Sequence, residues 1–268
     1  MTSTLSPGRP RVGELLREWR RRRGLSQLDL ASDAEVSTRH LSFVETGRSK
    51  PSRELVLHLA EHLDVPLRER NTLLLAAGYA PVYGERSIDD EEMDPVRDAL
   101  QRVLSGHEPY PAVIVNRRWD VVAANEAALR LFTAGVAPQL VEPPINAYRL
   151  GLHPDGLAPR VRNMGEYSHH LLTRLQREVA LSGDPDLAAL LDEVRGYPDL
   201  THAGAVALDP AGMLFLPMEL TTVDGKELSF FSTLATFGTA LDVTLAELSI
   251  EAFFPADEHT RRALQRAE

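Results

Sequence analysis

Residues 26–47, SQLDLASDAEVSTRHLSFVETG, restrict the fold more than any other stretch of the 268-residue chain. Ser26 and Ser37 stand where a side-chain oxygen caps a helix N-terminus, so two short helices are predicted with only a few residues between them. Ala31 is small, as a close crossing of two helices needs, and Val36, Leu41 and Val44 supply the apolar side chains of a tight core. So short a connection makes the helices meet at a steep angle. That is the helix-turn-helix arrangement, whose second helix enters a DNA major groove.

The flanks fit a compact all-α domain over residues 1–80. A first helix from Arg11 to Arg23 spaces Val12, Leu15, Leu16 and Trp19 at helical intervals and stops at Gly24. The third helix ends at Gly47, a fourth starts at Ser52, and a fifth runs from about Leu67 to Ala77 and stops at Gly78. Residues 81–94, PVYGERSIDDEEMD, are acidic and poor in core residues, and read as a linker.

From residue 95 to 268 the pattern is α+β. A helix from Pro95 to Leu104 precedes strands at Ala112–Val115 and Val121–Ala124, and Asn125 caps the helix that follows. Helical patterns lie near 145–151, 165–182 and 184–195. Asp224-Gly225, between two β-prone runs, signals a hairpin. A last strand is expected over about Leu245 to Phe253, and a short helix after Pro255. The prediction is an antiparallel sheet of about five strands, with helices inserted between the second and third.

Charge divides the chain at the same place. Residues 1–80 carry a net charge of +3 and the remainder −13, so only the first part suits a polyanion. There is no cysteine, which excludes disulfides, thiolate metal sites and a cysteine nucleophile and agrees with a reducing cytoplasm. No apolar run approaches the ~18–20 residues of a membrane-spanning helix, and Met1 to Pro10 lack an apolar signal core. A cytoplasmic protein with no membrane partner is expected.

On the predicted recognition helix, Arg39 can reach a guanine edge, Thr38 a polar group or thymine methyl, and Ser42 a base or a phosphate. Gln27 opens the preceding helix, where N–H groups meet a phosphate, and Arg48, Lys50 and Arg53 follow the recognition helix and can hold the DNA backbone. Residues 25–52 resemble the helix-turn-helix of lambda-repressor/Cro type, the XRE family. That resemblance implies base-reading positions at Thr38, Arg39, Ser42 and Phe43, and phosphate contacts at Gln27, Ser37, Arg48 and Lys50. It also implies a fold-holding pair between Arg20 and Glu45. Glu35 occupies a turn position that is commonly glycine, and Phe43 one that is often polar; Phe43 either meets a thymine methyl or packs inward.

A longer resemblance rests on PLRERNTLLLAAGYAPVY, PYPAVIVNRRWDVVAANEAA, LGLHPDGLAPRV, FFSTLATFGTALDVTLAEL and FFPADEHT. These segments are similar to MmyB-like transcription regulators, which implies a PAS-like second domain with an apolar pocket and a fatty-acid-like molecule as the leading ligand class. Candidate groups for its polar end are Asn146, Arg149, His153, Arg160, Arg162 and Tyr167, with Phe215, Leu216, Met218, Phe230 and Phe231 as walls. The same aromatics and methionine also suit an ordinary core.

Enzyme readings find no support. Adjacent His169 and His170 point about 100° apart on a helix, and no HExxH, P-loop or GxGxxG pattern occurs. GDPDLAALLDE lacks calcium-loop spacing. The expectation is a DNA-binding regulator without a catalytic centre, metal or cofactor beyond an apolar ligand. It should act as a homodimer on a double-stranded operator, because one short helix reads too few base pairs. The rivals are a second domain that recruits a protein and binds no ligand, and a helical module that binds protein instead of DNA.

Overall fold

The computed structural model describes residues 11–200 and 216–265. They form two compact units, one of residues 11–86 with 240–246, the other of residues 87–239 with 247–265.

The first unit contains α1 (Val12–Arg22), α2 (Gln27–Asp33), α3 (Thr38–Glu45), α4 (Arg53–His62) and α5 (Leu67–Ala76). The serine caps form as the spacing requires. Ser26 Oγ accepts from Asp29 N while the Asp29 carboxylate accepts from Ser26 N, and Ser37 and Ser52 accept from His40 N and Leu55 N. Leu16, Trp19, Leu30, Leu41, Val44 and Leu59 are buried in one core. At Gly13 a side chain would run into the Val44 carbonyl, so glycine lets α1 lie directly on the end of α3. Glu35, in the turn, adopts φ 52°, the left-handed conformation that glycine usually supplies there.

Residues 240–246 complete this unit. Val243 is fully buried, its N–H donates to the Gly84 carbonyl at 2.7 Å, and Arg86 meets Asp242 at 3.0 Å. The strand expected from Leu245 starts instead at Ser249, and Val243–Ala246 is a helical turn. Asp242 decides this: its side chain accepts from Thr244 N and its carbonyl from Ala246 N, which outweighs the β-propensity of Val243, Thr244 and Leu245.

The second unit begins with α6 (Asp94–Gly106) and builds a sheet from β1 (Ala112–Val115), β2 (Val121–Ala124), β3 (Met218–Thr221), β4 (Glu227–Thr236) and β5 (Ser249–Pro255). The strand order is β2-β1-β5-β4-β3 and every neighbour is antiparallel, the PAS-like α+β arrangement. The predicted turn joins β3 to β4, with Gly225 at φ 82°. Between β2 and β3 the chain inserts α7 (Glu126–Phe132), α8 (Ala147–Leu152), α9 (Met164–Ser182) and α10 (Pro185–Arg195); α11 (Glu258–Gln265) follows β5. Asn125 caps α7 as predicted, accepting from Ala128 N, and also ties Ala112 N and Tyr110 O. Val113, Val115, Phe253, Phe230 and Leu220 meet the helices in a single core.

Candidate functional sites

In the first unit the residues expected to read bases lie on α3. Leu41, Val44 and Glu45 face inward, while Thr38, Arg39 and His40 are exposed and Ser42 is half-exposed. The inward glutamate is part of the frame. Arg20 grips the Glu45 carboxylate with Nε at 2.6 Å and Nη2 at 2.9 Å, and Gln27 Nε2 donates to it at 2.7 Å. Arg17 adds a bond to the Glu45 carbonyl. Burial opposes the charge of Glu45, yet Arg20, Gln27 and Arg17 hold its carboxyl below the usual range. One bidentate pair thereby fixes α1, the start of α2 and the end of α3 together.

The structure places the Gln27 side chain within this frame, where it donates to Glu45. Ser37 Oγ is engaged as the α3 cap. Phe43 is half-buried and its ring carries the Arg39 guanidinium at 5.4 Å, a contact that limits where Arg39 can reach. Arg48 and Lys50 are exposed beyond the end of α3, and Lys50 rests on Tyr79.

In the second unit a cavity opens between the inner sheet face and α8 and α9. Its empty volume, counting the open mouth, is about 560 Å³. Val113, Val121, Phe132, Leu150, Leu157, Leu171, Met218 and Phe253 make an apolar lining. A neighbouring recess, lined by Leu216, Phe230, Phe231, Ser232 and His170, shares Tyr167, Leu171, Arg174, Met218, Glu251 and Phe253 with it.

A polar cluster sits at the shared wall. Arg174 Nη1 donates to Glu251 Oε1 at 3.3 Å, Nε donates to the Tyr148 hydroxyl at 3.1 Å, and the guanidinium lies 4.2 Å from the Trp119 ring. Ser232 Oγ also donates to Glu251, and Trp119 Nε1 donates to Glu178 at 2.7 Å. Burial disfavours the Arg174 charge, but Glu251 and Tyr148 more than compensate and raise its pKa. Burial likewise raises the Tyr148 and Tyr167 hydroxyls and the Glu178 carboxyl. Trp119 reaches this place through a left-handed backbone at φ 65°, which costs a non-glycine residue about 1–2 kcal/mol.

Of the residues expected at a ligand, the structure brings Tyr167 and Met218 to this cavity and places Phe231, with Leu216 and Phe230, in the neighbouring recess. Phe231 stacks on Phe254 at 5.3 Å. Four others are turned elsewhere. Asn146 is the buried cap of α8, Arg149 forms a bidentate pair with Glu193, His153 meets the Tyr197 ring edge-on at 4.9 Å, and Arg162 pairs with Glu227. Arg160 lines a different cavity, and Phe215 lies outside the described residues. The central cation, Arg174, was not anticipated. The available signal was its place on the apolar face of α9, in line with Tyr167, Leu171 and Glu178, because an arginine amid core positions needs a partner.

Among the described residues no group of three or more His, Asp or Glu is placed to hold a metal ion, and no helix is long and apolar enough to cross a membrane. A search of curated proteins finds no match. One solved structure, an RNA-binding Light-Oxygen-Voltage receptor, aligns with 96% of this chain at 14% identity and a TM-score of 0.25; the chain spans 62% of that receptor. So loose a likeness adds nothing to the fold described above. Residues 11–73 match a helix-turn-helix domain family, and residues 96–267 match the MmyB-like transcription regulator ligand binding domain. Both matched families fit a regulator rather than an enzyme, and the longer match covers the unit that holds the cavity. The chain belongs to the MmyB-like transcription regulators, with a helix-turn-helix DNA-binding unit followed by the ligand-binding domain of that family.

Proposed function

We propose that the protein is a cytoplasmic, homodimeric regulator whose ligand is a small, mostly apolar molecule with one polar head, of the fatty-acid class. The observation that carries this reading is the Arg174 guanidinium, held by Glu251 and Tyr148 in the wall of a largely apolar cavity beside the half-buried Tyr167. Among the described residues the Tyr167 hydroxyl makes no hydrogen bond, so it has a proton to offer. A carboxyl head would share Arg174 with Glu251 and accept from Tyr167, while the chain fills the space between Phe132, Leu157 and Phe253.

On DNA, Thr38, Arg39 and Ser42 read base edges, Phe43 supports Arg39, and Gln27 at the start of α2, Ser37, Arg48 and Lys50 hold the backbone. Two copies would present their α3 helices ~34 Å apart, one turn of DNA, or a multiple of it. The ligand acts only if it binds the DNA-competent and incompetent arrangements with different affinity.

The deciding experiment is native mass spectrometry of gently purified protein, followed by organic extraction and identification of the released molecule. A stoichiometric apolar acid on a dimer supports the reading. A protein that stays empty, and whose operator titrations superimpose with and without added fatty acids at matched salt, points to a domain that recruits a protein partner instead.

A further inference from the structure

The ligand-binding unit has a second cavity that shares no lining residue with the first. It lies between the end of α7, the turn at Arg160, the β3–β4 hairpin and α11, and its lining includes Arg130, Arg160, Lys226 and Asp224 with Leu228 and Leu264. Gly135 adopts φ 69°, and a side chain there would press on Val223 at 2.9 Å, so the loop after α7 and the hairpin tip meet closely at its rim.

Its charge is unexpected. Residues 81–268 carry a net −13, yet this lining holds three cations and one carboxylate, Asp224, which is bound to Lys226 at 2.8 Å. Elsewhere in this unit Arg117, Arg118, Arg149, Arg162 and Arg174 each have a carboxylate within salt-bridge distance. Arg160 has none among the described residues. Its Nη2 donates to the Leu131 carbonyl in the last turn of α7 at 3.2 Å, but its Nε is buried with no acceptor. Burial without a counter-charge also lowers its pKa below the usual arginine value. A buried donor of a charged group left without an acceptor is costly, and a helix-end carbonyl on another nitrogen does not offset it. A glutamine would serve the Leu131 carbonyl without that cost.

We propose that this cavity binds a second ligand, an organic anion, with its oxyanion held by Arg160, Arg130 and Lys226 and its apolar body laid on Leu228 and Leu264. The shared chemistry is a terminal phosphate or carboxylate on a short apolar group. This goes beyond the reading of the central cavity and does not depend on it.

Calorimetric titration of the full-length protein at low salt with phenyl phosphate, benzoate and inorganic phosphate tests the site, beside Arg160→Gln, exposed Arg130→Gln and, as a control, Arg174→Gln. The expected result is one site for phenyl phosphate or benzoate, whichever head it prefers, weakened about tenfold or more by either Arg160→Gln or Arg130→Gln. Arg174→Gln should change it by no more than about twofold. Circular dichroism melts identify any variant that has lost its fold, and Arg130→Gln, at an exposed position, keeps the test available if Arg160→Gln unfolds. No binding of any of the three anions at concentrations on the order of 10 mM overturns the proposal. So does binding that Arg174→Gln removes and the other two variants leave intact. Inorganic phosphate bound as tightly as phenyl phosphate would remove the apolar body from the proposal, leaving an adventitious ion only.

Discussion

Arg39 stands at the second position of α3 with its guanidinium against Phe43, and Arg48 stands exposed just past the end of the same helix. The two arginines should fail differently. Arg39→Ala is expected to relax discrimination at one operator base pair by ~1–3 kcal/mol, as read by binding to a panel of single-base operator variants. Arg48→Ala should weaken all operators alike and reduce the slope of log affinity against log salt by about 1. Glu45 belongs to neither class, because it touches Arg20, Gln27 and Arg17 and points away from the surface. Arg20→Ala leaves its carboxylate buried without its main partner and should cost about 3 kcal/mol in chemical denaturation. Since the folded unit depresses the pKa of Glu45, its contribution is complete above the ordinary glutamate value near 4.3. It is lost as the pH falls from there through the lower folded value. Acid titration of wild-type protein beside Glu45→Gln should show that pH-dependent component only in the wild type.

Two glycine-sensitive positions govern how the elements of the first unit meet. At the turn, Glu35 bears the left-handed strain that a glycine would not, so Glu35→Gly should stabilise the unit by about 0.5–1 kcal/mol. At the α1–α3 contact the sign reverses, because Gly13→Ala drives a methyl into the Val44 carbonyl and should cost about 1–3 kcal/mol. Thermal melts of both variants check the pair, and equal shifts in one direction would refute this account of the packing. Both helices of the motif, their serine caps and the small Ala31 could be read from local spacing, since each depends on residues three or four apart. Gly13 could not be read as a contact, because its partner lies 31 positions away and a lone glycine within a helix carries no directional signal.

For the whole molecule, ligand binding should appear as stability in one unit. A molecule bound at 100 times its dissociation constant adds about 2.7 kcal/mol to the unit that holds it. The chain has two tryptophans, Trp19 in the DNA-binding unit and Trp119 against Arg174 in the other. Adding the extracted ligand should therefore change Trp119 emission, and Trp119→Phe should abolish that change while Trp19 still reports the first unit. Arg174→Gln combined with Glu251→Gln removes the charged pair without stranding either charge, and should remove the ligand-induced stabilisation. An unchanged stabilisation in that double variant would place the ligand away from the polar cluster.

The sequence alone determined the helix-turn-helix, the exposed face of α3, the strands β1 and β2, the β3–β4 hairpin and the division of charge between the halves. All of these follow from caps, turn residues and apolar spacing within a few positions. Tertiary structure alone decided which polar residues meet in the ligand-binding unit. Asn146, Arg149 and His153 have the right chemistry for a head group, but Asn146 is used to cap a helix, Arg149 is neutralised by Glu193 and His153 packs on Tyr197. Arg174 and Glu251 are 77 residues apart, and only the packing of α9 on β5 makes them one site. A side chain's chemistry is local to the chain, whereas its partner, its burial and therefore its charge and availability are set by whatever the fold brings beside it.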